Sequence, residues 1–214
     1  MTAAPTFDAA FRERLDELFA WRRDVRRFVA DAPVAPAVLH ELLAVTRYAP
    51  SVGFSQPARF VDVRSPERRA AVRELFSAAN AEALAGYDGE RSARYAGLKL
   101  AGLDEAPVHL AVFCDEATET GAGLGARSMP EMRAYSVVLT IHTLWLAARA
   151  RGLGLGWVSI LDAAAVGRTL AVDPAWRLVG YLCLGRPQEE HLDRELERAG
   201  WERADARSLE LHER

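Results

Sequence analysis

Arg22-Arg23-Asp24-Val25-Arg26-Arg27 gathers four guanidiniums around one carboxylate within six residues. Guanidinium groups make planar, bidentate hydrogen bonds to phosphate and to the electron-rich edges of heterocycles. A carboxylate among them is expected to stay ionised, because nearby positive charge favours the charged form. It can accept a proton or a hydrogen bond, yet it repels a phosphate, so its presence asks for a chemical reason. Taken alone, the run also fits a solvated, charge-rich connector in which Asp24 merely neutralises its neighbours.

Other chemistry-bearing patterns are sparser. Gly152-Leu153-Gly154-Leu155-Gly156 invites a dinucleotide-loop reading, but that loop follows a strand and opens a helix, and this one follows a helix and opens a strand. Its glycines are expected to cap the helix and to let backbone approach something flat near Gly156-Trp157-Val158-Ser159. Ser51 and Ser55 stand in a Pro-bracketed turn, and Ser159 ends an apolar run. There is no P-loop, nucleophile elbow or HExxH pattern. His40, His109, His142, His191 and His212 lack ligand spacing, and Cys114 and Cys183 lie in apolar runs as reduced core residues. No metal site is expected.

Elements that would position these groups follow from periodicity. Phe11, Leu15, Leu18 and Phe19 put a helix over 8–21, feeding the arginines. A second helix runs from Pro36 to Tyr48, and 49–57 is a loop. Phe60 to Val63 reads as a strand, and Ser65-Pro66-Glu67 starts a helix reaching about Leu84. The polar stretch 86–105 is a helix or a mobile cover. Val108 to Cys114, Gly154 to Ile160 and Leu178 to Leu184 are strands, with a short helix over 162–170. Gly121 to Pro130 is loop. The longest helix, 131–151, is apolar on nearly every side, so it belongs in a core or a subunit interface. The sum is a three-layer α+β domain with a mixed sheet.

At 214 residues, half of them apolar and 27% charged, the chain can bury one sizeable core. A net charge of −3 and a pI near 6.0 give no reason to expect nucleic acid or an anionic membrane as partner. The N-terminus reads as no signal peptide and no apolar run is long enough to span a bilayer, so the expected location is cytoplasmic.

In order along the chain, Arg22-Arg23-Asp24-Val25-Arg26, Ala49-Pro50-Ser51-Val52-Gly53-Phe54-Ser55-Gln56-Pro57, Gly154-Leu155-Gly156-Trp157-Val158-Ser159-Ile160 and Leu182-Cys183-Leu184-Gly185 resemble the nitroreductase-like flavoprotein family. The resemblance runs from Phe19 to Trp201. Within that family the chain looks most like the branch that makes 5,6-dimethylbenzimidazole. Ordinary members carry a serine or similar small polar residue where Asp24 stands. Gly89-Glu90-Arg91, Leu98-Lys99-Leu100 and Leu144-Trp145-Leu146-Ala147-Ala148-Arg149-Ala150 are also similar to that branch.

The resemblance implies a three-layer α+β fold over 1–214, with a central mixed sheet and helices on both faces. It implies a homodimer with FMN at the subunit interface, which gives the long apolar helix its reason. Reduced FMN is then both cofactor and substrate. With O2 its dimethylated ring becomes 5,6-dimethylbenzimidazole, the lower ligand of vitamin B12, and the ribityl phosphate remainder leaves as erythrose 4-phosphate. On this resemblance Arg22 and Arg26 clamp the phosphate and the N1/O2 edge, and Arg23 and the backbone of Val25 fix the ring. Asp24 accepts a hydrogen bond and a proton. Ser51, Gly53 and Leu100 line the flavin, and Gly156, Trp157 and Ser159 wall its other side. Asp24 and Ser159 are the expected catalytic residues, and 86–103 closes over the site.

One departure is that family members place a basic residue before a Pro-Leu pair near the C-terminus, and this chain has no such pair. Arg203 or Arg207 could take the role. Two other readings share the motifs: an NAD(P)H-dependent nitroreductase or quinone reductase, which shares all but Asp24, and a non-catalytic flavin-binding dimer. Whether a separate flavin reductase supplies the reduced flavin stays open.

Overall fold

The computed structural model describes residues 3–98, 101–205 and 210–213. Helix α1 (Ala9–Trp21) starts where Asp8 accepts the Phe11 N–H, and it carries the chain into the arginine run. Helix α2 (Pro36–Val45) opens on a proline and passes into a single 3-10 turn, Thr46–Tyr48. Strand β1 (Ala58–Asp62) is followed by α3 (Pro66–Ala85), capped by Ser65. The polar stretch holds α4 (Gly89–Gly97) and a short turn of helix, α5 (Gly102–Glu105). Then come β2 (Val108–Asp115), α6 (Met132–Arg149), β3 (Gly154–Val158), α7 (Ala163–Leu170), β4 (Trp176–Gly185) and the short α8 (Glu195–Arg198). No helix among the described residues is long and apolar enough to cross a membrane.

The strands form one sheet in the order β1-β2-β4-β3. Helices cover both faces, as the periodicity predicts. Along β2, Leu110, Val112 and Cys114 join the core beneath α2 and α6, and Ala111 and Phe113 join the core beneath α3 and α7. A strand buried on both faces reads as a continuous apolar run, which is why β2 is legible without alternation. The expected mixed sheet is corrected: all three strand pairings are antiparallel. Among the described residues the parallel element is a single bridge between Asp24 and Leu155. An apolar run marks a strand but carries no information about its direction.

The end of α6 follows from its glycine. Gly152 sits at φ +70°, its N–H reaching the Arg149 carbonyl while the Leu153 N–H reaches that of Ala148. That paired closure suits a residue without a Cβ and turns the chain straight into β3.

Inside the α3/α7 core, His109 Nδ1 lies 3.0 Å from the Tyr181 hydroxyl, and both side chains are buried. Burial lowers the His109 pKa to about 4 from an ordinary 6.5, with Arg69 adding to the shift. The unfolded chain's imidazole therefore takes up a proton near pH 6.5, and the folded one only near 4, so stability falls as pH drops through that window. The loss is on the order of 3 kcal/mol when complete. Urea midpoints at pH 7 and pH 4.5 should differ strongly for the wild type and much less for His109→Gln.

Candidate active site

Arg22 ends α1, and the chain then runs extended beside the middle of β3. The Val25 N–H donates to the Leu155 carbonyl at 3.1 Å, which fixes the register. Such close approach needs room on β3. A Cβ on Gly156 would lie 2.2 Å from the Val25 carbonyl oxygen, and one on Gly154 would lie 2.6 Å from the Val25 side chain. The flat object these glycines accommodate is thus the chain's own Asp24-Val25 segment. Gly156→Ala should cost about 1–3 kcal/mol in a denaturant titration, because either the segment or the strand must give way.

The register delivers Asp24 to its partners. The Trp157 N–H donates to Asp24 Oδ1 at 3.0 Å, and Arg26 Nε donates to Oδ2 at 3.4 Å. Burial pushes the Asp24 carboxyl above the usual carboxylate range, opposed by the Trp157 N–H, Arg26 and Arg22. Of the four nearby arginines, only Arg26 makes an ion pair with it among the described residues. The desolvation of a carboxyl wedged against β3 outweighs one long ion pair. A carboxylate so placed is a better proton acceptor than a free one.

The arginines divide their work. Arg23 donates from Nε and Nη2 to the Leu192 carbonyl at 2.8 and 2.5 Å, and from Nη1 to its neighbour's carbonyl at 2.8 Å. It ties the segment after β4 to the site, and its donors are engaged by backbone. Arg27 pairs with Glu105 at 3.3 Å. Arg22 differs: its guanidinium lies 4.7 Å from the centre of the Trp145 ring and has no hydrogen-bond or ion-pair partner among the described residues. Trp145 in turn donates from Nε1 to the Arg23 carbonyl at 3.2 Å, bracing the run from α6.

Two openings flank Asp24. A narrow cleft is bordered by Asp24, Arg26, Trp157, Cys183 and the pair Gly102 and Leu103. The far end of the expected cover therefore does reach Asp24. A wider cavity lies on the other side, between Arg23, Arg26, Trp145 and Arg149 and the acidic segment carrying Glu190 and Glu195. No group of three His, Cys, Asp or Glu among the described residues could hold a metal ion.

The model of the family described as Nitroreductase family matches residues 19–186, from the end of α1 through β4. The chain belongs to the nitroreductase family. A relative from Rhodospirillum rubrum named 5,6-dimethylbenzimidazole synthase is 56% identical over 202 residues, covering 94% of this chain and 95% of its own. One of the same name from Rhodobacter capsulatus is 48% identical over 196 residues, covering 92% and 94%. Among solved structures, oxidized iodotyrosine deiodinase bound to FMN and 3-iodo-L-tyrosine superposes with a TM-score of 0.70 at 25% identity, covering 83% of this chain and 91% of that one.

Within this nitroreductase-family fold, the sequence-predicted residues fall into two groups. Asp24, Val25, Arg26, Gly156 and Trp157 come together around β3, and Arg22, on the Trp145 ring of α6, is close enough to act on Asp24. Ser159 is exposed just past the end of that strand. Ser51 and Gly53 are elsewhere. Their loop is pinned to the start of α6, where the Val52 N–H donates to Ser136 Oγ at 3.0 Å. Gly53 adopts φ +54°, and a Cβ there would meet the Leu124 carbonyl oxygen at 2.5 Å. Its glycine is thus explained by its own chain. Leu100 and Arg207 lie outside the described residues. Arg203 lies near Arg94 and Trp201, around a separate opening. Motif reading missed Trp145 as the support for Arg22, and Glu195, whose alternating-charge surroundings look like solvated surface. A lone tryptophan in an aliphatic helix was the available signal for the first.

Proposed function

We propose that this chain is a 5,6-dimethylbenzimidazole synthase that converts reduced FMN and O2 to 5,6-dimethylbenzimidazole and erythrose 4-phosphate, with the pyrimidine portion of the isoalloxazine released as a separate fragment. The observation that carries this reading is Asp24, a carboxylate docked on the Trp157 N–H inside the arginine run of a nitroreductase-family chain. The two synthases from Rhodospirillum rubrum and Rhodobacter capsulatus support it over nearly their whole length.

The residues suit a flavin phosphate. Among the described residues the Arg22 guanidinium, held in place by Trp145, has no hydrogen-bond or ion-pair partner, and Arg26 is engaged only through Nε. Both would meet the anionic parts of FMN, its phosphate and the N1/O2 edge that gains charge on reduction. Bound there, reduced FMN supplies the electrons for oxygen and the ring that becomes product. Asp24, its proton affinity raised by burial, takes a proton from the substrate. Ser159, exposed beyond β3, hydrogen-bonds near the reacting ring. Gly102 and Leu103, at the end of the polar segment, narrow the approach to Asp24 and limit water there. Ser51 and Gly53 come from a second copy of the chain, so the functional unit is a homodimer.

The test is an aerobic incubation of the purified protein with excess chemically reduced FMN, followed by mass spectrometry for both products. Chemically reduced flavin removes any need for a reductase. Appearance of 5,6-dimethylbenzimidazole in proportion to enzyme bears the reading out. Simple reoxidation to FMN, with oxidation of added NADPH, would leave a conventional flavin reductase instead.

A further inference from the structure

The segment after β4 carries a carboxylate that none of the motifs marks. Glu195 Oε2 lies 3.6 Å from Arg26 Nε, on the guanidinium that also holds Asp24 Oδ2 at 3.4 Å. The Arg26 side chain is 12% exposed, whereas the Asp24 and Glu195 side chains that meet it are 35% and 34% exposed. A single Nε–H cannot serve two carboxylates well. Asp24 has the hydrogen-bond geometry, and Glu195 has proximity without it.

Glu195 is not a loose surface side chain. Its segment is fastened by Arg23 to the Leu192 carbonyl and by Arg198 to Asp193 at 3.0 Å. Beyond α8, Arg94 donates to the Gly200 carbonyl at 2.9 Å, and the Trp201 ring meets Tyr87 edge-on with centroids 5.4 Å apart. These ties hold α8 against both the arginine run and α4.

We infer that Glu195 is a positioning residue for the proposed reaction, sharing Arg26 with Asp24 so that Asp24 is never fully paired and keeps its capacity to take a proton. The inference rests on the reading that Asp24 accepts a proton in that reaction. A guanidinium given wholly to Asp24 would favour its ionised form and blunt it as a base. A second anion on the same guanidinium weakens that pairing and repels negative charge on Asp24. Burial raises the Glu195 carboxyl as well, with Arg26 opposing and Asp24 adding to the rise. The other groups facing Asp24 are fixed in their effect. Arg22 and Arg26 come from its own segment, the Trp157 N–H from β3, and the Cys183 thiol from β4, itself pushed up to about 12 by burial. Arg198 and His191 act on Glu195 from the same segment as its own.

The experiment reads the Asp24 carboxyl by carbon-13 NMR in the flavin-free protein, its resonance identified by loss in Asp24→Asn. Glu195→Gln, near-isosteric and partly exposed, should lower the Asp24 midpoint by about one pH unit, a tenfold drop in proton affinity. Glu189→Gln removes a carboxylate paired with His191 in the same segment and should leave the midpoint in place. The acidic limb of product formation should move down with Glu195→Gln by the same amount. An unmoved Asp24 midpoint in Glu195→Gln would overturn the inference. A midpoint that moves in a protein whose wild type forms no product would overturn the synthase reading instead.

Discussion

Asp24→Asn is expected to abolish formation of 5,6-dimethylbenzimidazole while FMN still binds. Asparagine keeps the shape and an oxygen to receive the Trp157 N–H, so the segment stays on β3. It loses only the charge facing Arg26 and the ability to take a proton. Removing a positioned base costs about 10²–10⁴-fold in rate. Affinity for FMN should hold or tighten, since an anion has been removed from beside guanidiniums that would meet a phosphate. Stability supplies an independent check. A carboxyl whose pKa is raised by folding makes the folded state less stable as pH climbs through that raised value, and Asp24 is such a group. The Asn variant should therefore melt at or above the wild-type temperature at pH 7, as expected when a functional group is held against its preference. Product at more than about a tenth of the wild-type rate, set against the loss expected of a missing base, would remove Asp24 from its proposed role.

What the chain discloses before folding is uneven, and the reasons are physical. β2 and α6 are legible because burial on several sides demands unbroken apolar runs, and Gly152 because a left-handed residue must follow a helix that turns sharply. The arginine run announces an anion site, but four identical guanidiniums do not say which one is free. That depends on where a carbonyl such as Leu192, or a ring such as Trp145, happens to lie. Gly154 and Gly156 show that something approaches closely without saying what, and it is Val25. Glu195 carries no local signal, because its partner Arg26 is distant in sequence and its neighbours are alternating charges. Strand direction is equally silent, hence the sheet antiparallel in every strand pairing where a mixed one was expected.

Leu139→Asp is expected to give a monomer that no longer holds FMN. The Ser51 loop is tied to Ser136, whereas the Asp24 segment is tied through the Arg23 carbonyl to Trp145. Those anchor points are about 14 Å apart along the α6 axis. Both parts of the expected flavin site therefore sit on one helix, at opposite ends. The outward side of α6 carries Tyr135, Val138, Leu139 and His142, at the spacing of a single stripe, and all four are exposed in the single chain. In the proposed homodimer, a second copy packed on this stripe about a two-fold axis perpendicular to α6 would set the start of one helix beside the end of the other. Such packing would bring the Ser51 loop of one copy toward the Asp24 segment of the other and complete two sites at once. An aspartate at position 139 is harmless to the lone chain, because Leu139 is 44% exposed there. In the proposed dimer, symmetry would put two such carboxylates into one apolar contact, each costing several kcal/mol to desolvate. Sedimentation should then report a 23.5 kDa species, with FMN affinity down by about 100-fold or more as the partner's share of the site is lost. A persisting dimer would place the interface elsewhere, and a monomer with unchanged FMN affinity would mean that one chain completes the site alone.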